Sequence, residues 1–143
     1  MQPIQALGLS YVILASSYYY TGLKESDWGN FPKSLKSFMI LSILIAYLSN
    51  LAFVFLANSI NDTSTKQIVT LCTVVHFTLQ LLFIPFMRSN NKELVIALLI
   101  LNAIPMIILA GIGIRTNLTM GILATITMLH VVFNDAILFG FLH

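Results

Sequence analysis

The chain consists of five long apolar runs separated by short polar stretches. Each run has about the 20 residues that a helix needs to cross a hydrocarbon layer about 30 Å thick. Backbone groups in such a layer must be satisfied internally, so each run predicts an α-helix. The runs cover residues 4–23, 37–58, 68–87, 94–114 and 120–142. The sequence therefore predicts an all-α integral membrane bundle of four to five transmembrane helices, forming one domain over residues 1–143.

The first run leaves two placements open, because it is the most polar of the five. It contains Gln5, three serines and four tyrosines. These residues are compatible with a helix that spans the bilayer and with one that lies in its interface. The remaining runs are more uniformly apolar and predict full spans.

Composition supports a membrane location and excludes several classes of function. Hydrophobic residues make up 58% of the chain and charged residues only 8%, whereas about 25% of residues are charged in an average soluble domain. The net charge of +2 comes from scattered side chains, so no basic surface for nucleic acid is expected. The longest stretch between runs has thirteen residues, which leaves no room for a soluble catalytic domain.

The distribution of basic residues predicts the orientation of the chain. Short loops rich in Lys and Arg remain on the cytoplasmic side of a membrane. The first and third loops carry five basic residues and the second and fourth carry two, Lys66 and Arg115. We therefore expect an outside N-terminus and a cytoplasmic C-terminus. Glycosylation sequons at Asn61 and Asn117 both fall in loops that this count places outside.

Small residues on the apolar runs predict close packing between helices. Lipid tails are as apolar as leucine, so membrane helices associate through small residues and hydrogen bonds. Ser42, Ala46 and Ser49 share one face of the second helix, and Gly121 begins a similar pattern in the fifth. These faces indicate contacts with other helices, either of this chain or of partners.

Polar side chains within the apolar runs are the candidate functional residues. An Asp at the centre of a membrane helix costs about 2.5–3.5 kcal/mol on insertion scales, so it requires a partner or a function. Two helices repeat a pattern of Thr, His three residues later and a carboxamide four residues after that. The candidate cluster is His76, Gln80, Asn102, His130, Asn134 and Asp135.

This cluster supports three interpretations. The polar groups could bond across helices and fix their packing, or they could form a path for protons, ions or a small solute. In the third interpretation, His76 and His130 are axial ligands of a haem or another pigment. In a regular α-helix Asp135 lies about 140° around the axis from His130, on a different face, so the path requires a partner from another helix or another subunit.

Enzymatic motifs are absent from the sequence, so we expect a non-enzymatic protein. There is no HExxH sequence, no phosphate-binding glycine loop and no nucleophile motif. The first hypothesis is a structural or scaffold subunit that contacts lipid and other membrane proteins, or further copies of itself, in a larger assembly. The alternative is a homo-oligomeric channel or transporter that uses the polar cluster. No metal or cofactor is required by either hypothesis.

Overall fold

The computed structural model of the chain describes residues 2–22, 32–87 and 89–142 and confirms an all-α bundle. No strand occurs within these ranges. The helices are α1 (Pro3–Gly22), α2 (Lys33–Ala57), α3 (Thr63–Phe86), α4 (Lys92–Thr116) and α5 (Leu118–Leu129). A π-helical turn (His130–Asn134) then leads directly into α6 (Asp135–Leu142).

Polar first turns make several helices longer than their apolar runs. Asp62 accepts a hydrogen bond from the backbone N–H of Thr65 at 2.7 Å, and this bond caps α3. Asn91 caps α4 through Leu94 N–H at 3.0 Å, and Asn117 caps α5. Short polar side chains are favoured at this position because they satisfy backbone donors that the helix leaves free. Hydrogen bonds from the side chain and, to a smaller extent, the backbone of Thr65 lower the pKa of Asp62.

Four helical segments of the described chain are long and apolar enough to cross a membrane. They are Lys33–Ala57, Thr63–Phe83, Lys92–Thr116 and Leu118–Gly140, the last of which passes through the π turn. Their outward faces carry large exposed side chains such as Phe38 and Ile107, as expected of a surface covered by lipid. The chain is thus a multi-pass membrane protein. The described apolar part of α1, Pro3–Ser17, is shorter than these four segments.

The helices are arranged as a ring around a common interior. Around the ring, α1 contacts α2, α2 contacts α5, α5 contacts α4, α4 contacts α3, and α3 returns to α1. The π turn contacts both α2 and α4. Tyr11 and Ala15 of α1 are buried in this interior. The ring order brings polar residues from α2, α3, α4 and the π turn toward one another.

Small residues allow two of these helices to approach closely. A Cβ atom added to Gly121 of α5 would lie 2.6 Å from the backbone nitrogen of Ile114 in α4, and one added to Gly113 would lie 2.6 Å from Gly121 N. Such distances leave no space for a side chain. Ala46 and Ser49 are likewise buried within the bundle. The packing faces predicted from the sequence are therefore occupied by helices of the chain itself.

Two prolines lie inside helices without ending them early. Pro105 is buried near the middle of α4, which continues to Thr116. Pro85 falls in the last turn of α3, one residue before its end. Asn102, three residues before Pro105, bonds through its side chain to His76 and Gln80 of α3.

The close contact of α4 with α5 yields a test of the fold. We expect Gly121→Ala to lower the stability by about 1–3 kcal/mol, because the added methyl group forces the two backbones apart. Gly111→Ala is the matched control, since a Cβ there meets nothing within 4 Å and should leave stability unchanged or slightly higher. Thermal unfolding of both variants in detergent measures the difference. Equal stability would contradict the close approach.

Candidate functional site

The polar side chains of the candidate cluster meet inside the bundle. All six come from three separate parts of the ring, namely α3, α4 and the segment around the π turn. All of them are at most 5% exposed: His76, Gln80, Asn102, His130, Asn134 and Asp135. Asp135 and Gln80 are completely buried. The structure therefore brings together every member of the cluster that the sequence singled out, although their contacts differ in kind.

Hydrogen bonds connect four of these residues in one direction. His76 Nδ1 lies 2.7 Å from Asn102 Oδ1, and since an amide oxygen accepts, the imidazole donates. Asn102 Nδ2 donates to Gln80 Oε1. Gln80 Nε2 then donates to Asp135 Oδ2 at 3.0 Å. We call the series His76, Asn102, Gln80 and Asp135 the amide chain. Every hydrogen bond in it is donated toward the carboxyl group, which in its ionised form can only accept.

The π turn brings Asp135 close to His130. The backbone N–H of Asp135 donates to the carbonyl of His130, five residues earlier, and this is the bond that defines a π turn. His130 Nε2 consequently lies 3.9 Å from Asp135 Oδ1. The expectation that these two side chains lie on different faces was wrong, because it assumed α-helical geometry throughout. The prediction that Asp135 has a partner from another helix is confirmed by Gln80.

His130 also faces α2. Its Nδ1 atom lies 3.4 Å from Ser42 Oγ, so Nδ1 can accept from the hydroxyl when the ring proton is on Nε2. The sequence assigned Ser42 to helix packing and missed this contact. Ser42 ends the series of polar contacts that begins at His76.

Aromatic rings line the opposite side of the two imidazoles. Tyr11 stacks on Phe77 with ring centroids 4.0 Å apart and lies 6.0 Å from the ring of His76. Tyr47 approaches Tyr11 edge-on at 5.6 Å and lies 6.2 Å from His130. These tyrosines were not singled out from the sequence. Both tyrosine rings are buried beside the imidazoles.

The repeated Thr-His-carboxamide pattern contributes unequal parts to the site. Thr73 donates to its own helix at Val69 O, 2.7 Å away, and Thr127 donates to Leu123 O at 3.1 Å. Both threonines therefore satisfy themselves locally. The two carboxamides also differ: Gln80 belongs to the amide chain, whereas Asn134 has no hydrogen-bond partner within the described residues. The repeated pattern thus predicted where the site lies but not which of its side chains are hydrogen-bonded to one another.

The contacts bear on the haem interpretation. His76 Nδ1 is bonded to Asn102. From Asn102, hydrogen bonds between protein side chains lead through Gln80 to Asp135, which lies beside His130. Within the described residues, no group of three or more His, Cys, Asp or Glu side chains could hold a metal ion. The site thus adds no support for a bound haem or pigment. Its chemistry is that of one carboxyl group, an adjacent imidazole and fixed amides.

The connections through Asn102 predict a specific loss of stability. Asn102→Leu leaves His76 Nδ1 and Gln80 Oε1 without their partner, and each unsatisfied buried group costs about 1–3 kcal/mol. Asn134→Leu is the matched control, because the same exchange there breaks no hydrogen bond among the described residues. Unfolding of both variants in detergent should show a lower midpoint for Asn102→Leu alone. Equal midpoints would argue against the amide chain.

No family model matches the chain, and neither a curated protein nor a solved structure matches it.

Proposed function

We propose that this protein is a membrane channel or transporter in which Asp135 and His130 bind and release a proton. One observation carries the proposal: a completely buried carboxyl group lies 3.9 Å from a buried imidazole. Acidic residues inside membrane segments are costly and commonly mark ion or proton pathways. Imidazole is the side chain whose charge most readily changes near neutral pH.

The amide chain supports this proposal through the position that it gives to Asp135. Gln80 holds one carboxyl oxygen at 3.0 Å, while the other oxygen faces His130. Carboxamides do not titrate, so Gln80 and Asn102 are positioning residues. A proton moving between Asp135 and His130 would change the charge of both groups without requiring the amides to move.

The location of the site favours a transport role within a single chain. His76 and Asn102 lie near the middle of α3 and α4, and the polar contacts extend from there to Ser42 of α2. The sequence hypothesis invoked a homo-oligomer to build a polar path. The polar groups meet inside one copy, so oligomerisation is no longer needed for that purpose.

The small-residue faces no longer support the scaffold hypothesis. Ala46, Ser49 and Gly121 pack within the bundle, so their small size no longer indicates an external partner. A structural role in a larger assembly stays a prediction without a specific contact surface. The buried carboxyl group requires an explanation that a scaffold does not supply.

Proton flux in vesicles tests the proposal. Purified protein is reconstituted into liposomes that contain a pH-sensitive dye, and an imposed pH gradient drives the flux. Asp135→Asn should reduce the flux to that of protein-free vesicles, since the amide cannot release a proton. Glu93→Gln is the matched control: Glu93 is exposed in the first turn of α4, so this variant should keep the full rate.

Folding and flux must be separated in this experiment. Asp135→Asn keeps an oxygen that can accept from Gln80, so its unfolding midpoint should stay close to that of the unmodified protein. A folded Asp135→Asn variant that conducts protons normally would refute the role of the carboxyl group. We also expect His130→Gln to slow the flux by removing the adjacent titratable group.

We further propose the orientation that the basic residues predict, with the N-terminus outside. The structure does not describe two of these basic residues, Lys24 and Arg88. The first turns of α2 and α4 carry three others, namely Lys33, Lys36 and Lys92.

A membrane-impermeant maleimide reagent tests this orientation in intact cells or sealed vesicles. In a Cys72→Ser background, Asn61→Cys between α2 and α3 should be labelled from outside. Asn90→Cys between α3 and α4 should be labelled only after the membrane is opened. The reverse pattern would invert the proposed orientation of α2 to α4, and labelling of both sites from outside would contradict the span of α3.

A further inference from the structure

A groove opens on the outer face of the bundle between α2 and the segment formed by α5, the π turn and α6. It has a volume of about 360 Å³, which lies within the range of roughly 300–1,000 Å³ that is usual for small-molecule pockets. Leu41 and Ile45 of α2 form one wall, and Ile126 and Leu129 of α5 form the other. This groove lies outside the amide chain but reaches His130.

Polar side chains lie at the floor of this apolar groove. Ser42, His130 and Asn134 all line it. Asn134 is only 2% exposed, and neither its Nδ2 nor its Oδ1 atom has a hydrogen-bond partner among the described residues. A buried polar group without a partner costs about 1–3 kcal/mol, and native proteins rarely leave one without a reason. A carboxamide offers two donors and an acceptor to any group that reaches it.

The lining residues restrict the chemistry of an occupant. No formally charged side chain lines the groove among the described residues, so an ionised head group would find no counter-ion there. Apolar walls favour an alkyl or ring body. Leu41, Leu129 and Phe133 are each 45–60% exposed on the outer face, so the groove opens toward lipid and an occupant would enter from the bilayer.

We propose that the groove between α2 and α5 binds an uncharged lipophilic molecule whose terminal hydroxyl or carbonyl group hydrogen-bonds to Asn134. A rotation of the Asn134 side chain turns its amide toward the bound molecule, and the apolar part of that molecule lies between Ile45 and Ile126. The volume of the groove suits a small molecule better than a helix from a second copy. This inference does not depend on the proton pathway, since binding can be measured without any flux.

Photolabelling tests the groove with a defined probe. The full chain is placed in lipid nanodiscs with a dodecanol derivative that carries a diazirine near the middle of its alkyl chain. After illumination, labelled peptides are identified by mass spectrometry. We expect label on the α2 and α5 residues that wall the groove, including Leu41 and Ile126. Excess 1-dodecanol should remove this label, whereas dodecane and ionised dodecanoate should compete poorly.

Two variants separate the hydrogen bond from the shape of the groove. Asn134→Leu should weaken probe binding about five-fold, the effect expected for one hydrogen bond, while its unfolding midpoint stays unchanged or rises. Ile45→Phe should reduce labelling by filling the groove. Its matched control is Ile107→Phe, which changes another exposed isoleucine, on α4, and should leave the labelling unchanged.

Three outcomes would overturn the proposal. Label spread evenly over the outward faces of all helices, without competition by 1-dodecanol, would mean that the groove holds only bulk lipid. Unchanged binding in a folded Asn134→Leu variant would exclude the hydrogen bond. A disulfide between two copies of an Ile45→Cys variant in a Cys72→Ser background, formed on oxidation in the absence of wall labelling, would identify a second copy of the chain as the occupant.

Discussion

The carboxyl group of Asp135 is the constraint on which the rest of the interior depends. It is completely buried in a bundle whose outer surface is apolar, where an ionisable group without a partner is costly. Gln80 Nε2 supplies the hydrogen bond. Because the Gln80 nitrogen donates to Asp135, the Gln80 oxygen is left to accept, and Asn102 donates to it. The Asn102 oxygen accepts in turn from His76. The direction of every hydrogen bond in this series thus follows from the acceptor at its end, the carboxyl group of Asp135.

The π turn is the local feature that joins this chain to His130. Such turns interrupt α-helices at a cost and occur frequently at functional sites. Here the turn brings Asp135 back over His130, five residues earlier, so that Asp135 faces both Gln80 of α3 and His130 of its own helix. An uninterrupted α-helix would place Asp135 about 140° away from His130 and separate the carboxyl group from the imidazole. A proton-binding pair at this position therefore requires the irregular turn.

Sequence reasoning predicted the fold class and the members of the cluster but not their connections. Long apolar runs suffice to predict membrane helices, because backbone groups in lipid admit few alternatives. Which helices touch is not encoded in the period of any single helix, so the contact of Ser42 with His130 was missed. The π turn leaves no recognisable pattern in His130–Asn134. Polar first turns such as Thr63–Lys66 fell outside the predicted helices, because only apolar runs were counted.

The two halves of the repeated pattern illustrate how the same residue types acquire different roles. In α3 the pattern is regular, and its carboxamide, Gln80, faces the interior and is fully bonded. In the other half the π turn brings Asp135 to Gln80, and Asn134 remains at the groove beside α2 without a partner. One irregular turn thus satisfies the carboxyl group and leaves a carboxamide unsatisfied. An external hydrogen-bonding group would lower the free energy at this unsatisfied amide, whereas every other amide of the cluster is already bonded within the protein.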